Sequence, residues 1–159
     1  MEKERLQEFA ARVTQANRSE LVVVIYEAAL ASIEEGNSCL EKNDIMAARK
    51  EIDRARGMVD ELLHSLDLNY EISHYLRQLY IYVYRELCQG IALRDTARLD
   101  HASAVLKGLL PAFRGVAEQD DSGPVMENTQ QIYAGLTYGR DSLNETVAVG
   151  VNYNRGFEA

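Results

Sequence analysis

Two short motifs in the middle of the chain have the spacing of metal ligands. "ELLH" sets Glu61 three residues before His64, and "EISH" repeats the arrangement with Glu71 and His74. On a helix, residues three apart share a face, so each pair could offer one ion a carboxylate and an imidazole. Two such pairs in a helical bundle, completed by a glutamate from each of the other two helices, would make a di-metal carboxylate centre. Every ligand of such a centre must point inward. At about 100° per residue, Glu61 and His64 lie roughly 150° from the apolar stripe of their own segment, and His74 lies roughly opposite its stripe. The stretch from Ala97 to Ala117, which would have to add a glutamate, contains none. Solvated helix faces account for these residues. A ferritin-like metal bundle is the weaker alternative, and metal analysis of the purified protein decides it.

The remaining reactive side chains carry less. His101 stands alone. Cys39 and Cys88 form no CxxC pair and have no histidine at helical spacing, so packing is the expected role of both. No glycine-rich loop follows a strand to cradle a phosphate. The sequence therefore points to no enzyme and to no cofactor.

Composition narrows the class further. The chain has 159 residues, 47% of them hydrophobic and 26% charged, which suits one globular domain and excludes a disordered chain. Its formal charge is −8, and the basic residues are dispersed among acidic ones, so no basic face is available for nucleic acid. No apolar run approaches the ~20 residues that span a bilayer, which argues against membrane insertion. The opening "MEKERLQEF" lacks the apolar core of a signal peptide. These features, with two isolated cysteines, lead to the expectation of a reducing cytoplasm.

The elements follow from apolar spacing. From Asp44 to Leu66 the apolar residues fall at Ile45, Ala48, Ile52, Ala55, Val59, Leu62 and Leu66, in steps of three and four. Leu99, Ala102, Leu106, Leu109, Phe113 and Val116 keep the same rhythm. Asp44 and Asp95 are placed to cap the helices that follow them. This spacing predicts helices over roughly 3–16, 19–42, 44–66, 70–93 and 96–117. Short connections make successive helices antiparallel. The expected fold is all-α: an antiparallel four-helix bundle with a short N-terminal helix and an additional C-terminal helical segment. Gly36 and Pro111 fall inside predicted helices, and the proline is expected to kink its own.

The segment "LYIYVY", residues 79–84, has the composition of a strand, yet Ile72, Leu76, Leu79, Val83 and Leu87 hold a helical step across it. With those residues inward, Ile81, Tyr84 and Cys88 lie nearly opposite, and Tyr80 and Tyr82 lie on the flanks. The helix before residue 42 is similar. Val22, Tyr26, Ala29, Ile33 and Leu40 make an inward stripe, while Leu21, Val24, Ala28 and Ala31 make a second one behind it. A helix apolar all round must be covered all round. Either the N-terminal helix and the residues after 118 cover these faces, or the helices of a partner do.

The run from Arg18 to Asp67 resembles the flagellar export chaperones called FliS. Their second helix reads "EELVLMLYDGAL", and Glu20, Leu21, Val22, Tyr26, Glu27, Ala29 and Leu30 match it or substitute conservatively. The family's "LEEGD" turn is similar to Leu40, Glu41 and Asp44. Its "SLD" corresponds to Ser65, Leu66 and Asp67. Its "NLxxLYDYMxxRLxxANLxxD" resembles Leu76, Leu79, Tyr80, Tyr82, Val83, Leu87 and Asp95, and its "LLxxLxxAW" resembles Leu109, Leu110, Ala112 and Phe113. The resemblance covers about residues 12–117. It implies a cytoplasmic chaperone that binds the disordered C-terminal region of flagellin, prevents premature polymerisation and holds the subunit ready for the flagellar export apparatus. The chain departs from the family in its cap, where Asn17–Ser19 replaces a proline. It also departs in its N-terminal segment, where Leu6 and Phe9 stand in for a groove-covering tyrosine.

The expected organisation is a FliS-like bundle over residues 1–118 and a C-terminal extension over 119–159. In the extension, Val125, Thr129, Ile132, Leu136, Leu143 and Val147 follow near-helical steps. It is either a sixth structural helix or a tail that packs on the bundle's spare apolar surface. The expected flagellin-binding groove is lined by Leu21, Val24, Ala28, Ile81, Tyr84 and Cys88 and flanked by Tyr80 and Tyr82. A helical adaptor for another secretion or assembly protein would carry the same apolar faces, but it would ignore flagellin peptides.

Overall fold

The computed structural model describes residues 3–126. Five helices follow one another: α1 (Lys3–Gln15), α2 (Arg18–Glu41), α3 (Ile45–His64), α4 (Glu71–Leu93) and α5 (Thr96–Glu118). No strand occurs among the described residues. The predicted boundaries hold to within a few residues because the caps are strong. Asn17 and Glu20 form a reciprocal capping box at the start of α2. Asp44 accepts from the Ala47 amide at 3.0 Å, and Asp95 accepts from the Ala97 amide at 3.0 Å. The α2–α3 and α4–α5 turns each pass through one left-handed residue, Asn43 at φ 59° and Arg94 at φ 55°.

The helices α2 to α5 form a ring in which each packs on the next and α5 closes back on α2. Helices α2 and α4 are therefore diagonal, as are α3 and α5. The core is lined by Tyr26, Ala29 and Ile33 of α2, Ile52, Ala55 and Val59 of α3, Tyr80, Val83 and Leu87 of α4, and Leu99, Ala102 and Leu106 of α5. Across its centre the hydroxyls of Tyr26 and Tyr80 meet at 2.6 Å, both fully buried, and the Phe113 ring packs on Tyr26 with centroids 5.0 Å apart. Burial pushes both phenol pKa values up, so both hydroxyls stay protonated.

Two glycines permit the closest helix approaches. A Cβ at Gly36 would stand 2.6 Å from Ile52 Cδ1, and one at Gly90 would stand 2.5 Å from Leu99 Cδ2. Close packing, not a break in the helix, explains both. Helix α5 continues through Pro111, which sits on its exposed side; the Lys107 carbonyl that loses an amide partner belongs to a residue that is also exposed.

Beyond α5 the chain returns to the joint between α1 and α2. Asn17 Nδ2 donates to the Asp120 carbonyl at 2.9 Å, Ser19 Oγ to the Asp120 carboxylate at 2.5 Å, and the Val125 amide to the Ala16 carbonyl at 3.1 Å. Hydrogen bonds from Ser122 and Ser19 hold the Asp120 carboxyl down at about 2. The bundle's compact unit runs to Val125. The helix expected in the C-terminal extension falls almost wholly on residues 127–159, outside the described residues.

Two outcomes test this packing by chemical denaturation. Tyr26→Phe and Tyr80→Phe each strand one buried hydroxyl and should each cost about 1–3 kcal/mol. The double variant should cost clearly less than the sum, because neither hydroxyl then lacks a partner. Gly90→Ala should destabilise by about 1–3 kcal/mol despite alanine's better helix propensity, since Leu99 must move.

Candidate functional site

The diagonal placement of α2 and α4 separates residues that the sequence reading put in one groove. Leu21, Val24 and Ala28 lie on the side of α2 turned away from Tyr26. Ile81, Tyr84 and Cys88 lie on α4 toward α3, where Arg56 of α3 donates to the Tyr84 hydroxyl at 2.9 Å and its guanidinium stands 5.1 Å from the ring centre. These are different sides of the bundle, so one continuous groove through all of them does not form. Tyr80 does not flank a groove; it is 1% exposed and points at Tyr26. Tyr82 lies on the outer surface of α4, with the Arg85 guanidinium 5.6 Å from its ring centre.

The α4 stripe is rotated relative to the expectation. The buried line is Ser73, Tyr80, Val83, Leu87 and Ile91, whereas Ile72 is 63% exposed and Leu79 is 36% exposed. Both readings share Leu76, Val83 and Leu87, and steps of three and four do not separate them. Reach decides: the longer tyrosine spans the bundle's centre to a polar partner, and Leu79 cannot. In α5 the buried line likewise runs through Leu106, Leu110 and half-buried Phe113 and Ala117, leaving Val116 56% exposed.

These rotations produce an apolar strip that the sequence reading missed. Glu86 of α4 pairs with Arg98 of α5 at 3.2 Å and lies 3.4 Å from His101, which marks the flank of α4 that faces α5. Leu79 and Ile72 lie seven and fourteen residues before Glu86, so they continue that flank. Across from it, Val105, Leu109 and Val116 extend the line of Arg98. Tyr75 adds a further exposed ring. The signal in the sequence was the clustering of Ile72, Tyr75 and Leu79 at three-four spacing, which also fits a second face.

The outer stripe of α2 is covered. Val24, Ala28 and Ala31 are buried although they stand outside the main core, and α1 is the element packed over them. The cover is loose. Helix α1 is amphipathic, with Leu6, Phe9 and Val13 half-buried, yet none of its residues is buried fully. Clefts of about 780 and 680 Å³ lie along it, the first beside Phe9 and Ala31, the second farther along beside Ala16, Val23 and Val24. One ionic cluster bridges them. Arg12 of α1 donates to Glu27 Oε2 at 2.5 Å, and Arg114 of α5 donates to Glu27 Oε1 at 2.8 Å. Burial pushes the Glu27 carboxyl up, but the hydrogen bonds from Arg114 and Arg12 outweigh it and hold it below its ordinary value.

The Glu-x-x-His motifs sit on the surface. Glu61, His64, Glu71 and His74 are all exposed, and among the described residues no three His, Cys, Asp or Glu side chains are placed to hold a metal ion. No described helix is long and apolar enough to cross a membrane.

Fold and surface together define a helical protein, a four-helix bundle with one apolar outer face under a loosely seated helix and another left open. Residues 1–120 match the family model described as flagellar protein FliS. The flagellar secretion chaperone FliS of Bacillus subtilis (strain 168) is 28% identical over 107 residues, which cover 67% of this chain and 77% of that protein. The chain belongs to the FliS family.

The seating of α1 should depend on pH through Glu27. Because its carboxyl is depressed in the folded state, the Glu27 contribution is complete above the unfolded value of about 4.3 and is lost as pH falls through the lower folded value. The NMR signals of the Phe9 ring should be constant from neutral pH down to that range and move toward free-helix positions only below it.

Proposed function

We propose that the chain is a cytoplasmic flagellar export chaperone that holds the disordered C-terminal region of flagellin until export. The observation that carries this reading is the outer stripe of α2. Val24, Ala28 and Ala31 form a helix-binding floor whose present occupant, α1, makes no fully buried contact of its own. An amphipathic guest helix bearing more apolar residues than Leu6, Phe9 and Val13 would gain surface by replacing it. Leu21, half-buried at the edge of this floor, is within the guest's reach, and Leu6 and Phe9 act as the cover.

Burying one large side chain yields ~1.5–3 kcal/mol, while ordering a disordered segment costs ~2–5 kcal/mol or more. A single groove with a few anchors is marginal, so the guest also engages a second surface. The exposed strip of Ile72, Tyr75 and Leu79 with Val116 supplies one. Ile81, Tyr82, Tyr84 and Cys88, around the α3 side of α4, supply lateral contacts for an extended guest. Tyr80 acts from within, by fixing the rotation of α4. Both the family match and the secretion-chaperone name of the Bacillus relative support the assignment.

Calorimetric titration with a peptide of the last few dozen residues of flagellin from the same organism tests this. Binding should show a strongly negative heat-capacity change and a gain of helix by circular dichroism. Val24→Asp and Leu79→Asp should each weaken it at least tenfold while leaving the bundle folded. Binding unaffected by both variants would place the guest elsewhere.

A further inference from the structure

We propose that Glu27 is a shared latch that sets how readily α1 opens, with Arg12 and Arg114 acting in opposite directions. The inference rests on the reading that α1 covers the guest's groove. Arg12, Glu27 and Arg114 line both clefts, one toward the N-terminal half of α1 and the other toward its C-terminal end, so they form the bridge of contact between two open volumes. The two arginines hold opposite oxygens of one carboxylate, Arg12 on Oε2 and Arg114 on Oε1. Their side chains are 40% and 53% exposed, and that of Glu27 is 20% exposed.

When α1 lifts, Arg12 passes into water, yet Glu27 keeps Arg114. The usual penalty of breaking a partly buried pair, a charge left without its partner, does not arise. While α1 is seated, Arg114 also repels Arg12 and draws on the same carboxylate. Arg114 therefore makes the cover easier to open, although it belongs to α5 and not to the cover. Two independent ion pairs would behave differently, since removing either would only loosen the molecule.

Native-state hydrogen exchange on the full chain, at fixed neutral pH and low salt, separates the two cases. Arg12→Ala should raise the opening constant of α1 about two- to fivefold, and Arg114→Ala should lower it by a similar factor. Amides of α2 to α5 should not change. Glu27→Gln should loosen α1, and Arg114→Ala in that background should restore part of the seating by relieving the repulsion of Arg12. Added salt should loosen α1 more in the unaltered chain than in Arg12→Ala, where the exposed Arg5–Glu34 pair at 3.9 Å still links α1 to α2. Loosening by Arg114→Ala, or no change with either arginine variant, would overturn the latch. These measurements need no guest. In a second arm, the flagellin C-terminal peptide should bind Arg12→Ala more tightly and Arg114→Ala more weakly, by the same factors. A peptide that binds no variant refutes the assigned guest, and the exchange pattern alone then judges the latch.

Discussion

At the middle of the bundle two tyrosine hydroxyls meet at 2.6 Å in otherwise apolar surroundings. A buried hydroxyl without a partner costs about 1–3 kcal/mol, and each of these has the other as its partner. The pair therefore fixes more than distance. Tyr26 and Tyr80 belong to diagonal helices, so their contact sets the rotation of α2 and α4 about their own axes. Rotating α4 to bury Leu79 would withdraw Tyr80 and strand Tyr26. What faces outward follows from that constraint: Val24 and Ala28 behind Tyr26, Ile72 and Leu79 beside Tyr80. The apolar surfaces left outside the core are thus the complement of a polar contact at the centre.

Much of the architecture was legible in the sequence. Asp44 and Asp95 announce two of the helix starts, and the α3 stripe from Ala48 to Leu62 reads without ambiguity because its other faces are polar. The second apolar face of α2 was also legible, since Leu21, Val24, Ala28 and Ala31 cannot share a side with Tyr26. Rotation of α4 was not. A helix apolar nearly all round has several three-four stripes, and aliphatic residues look more core-like than tyrosine. A buried tyrosine is favoured only where its hydroxyl finds a partner, and that partner lay 54 residues away. The same limit hid the strip on α4 and α5 and joined Ile81, Tyr84 and Cys88 to a face on the other side of the ring. Neither the Arg12–Glu27–Arg114 cluster nor the Asp120 contacts show any sequence periodicity, because they connect elements far apart in the chain.

The family match and the bundle agree on a protein whose work is done by surfaces. The two apolar faces differ in how they are kept. The strip of Ile72, Tyr75 and Leu79 meets solvent, whereas the floor of Val24, Ala28 and Ala31 is screened by a helix from the same chain. One face is open, and the other lies under α1.

The joint at Ala16 and Asn17 has a consequence for that exchange. It is anchored by the capping box and by the returning segment at Asp120 and Val125, so α1 has a fixed pivot whatever its own position. A helix swinging on such a pivot remains at an effective concentration on the order of millimolar over its seat, far above that of any free chain. On the proposed reading α1 is thus a built-in competitor, and a guest helix that begins to peel away is replaced by a unimolecular step. Unloading by this route would need pulling on the guest and no nucleotide-driven machinery within the chaperone itself.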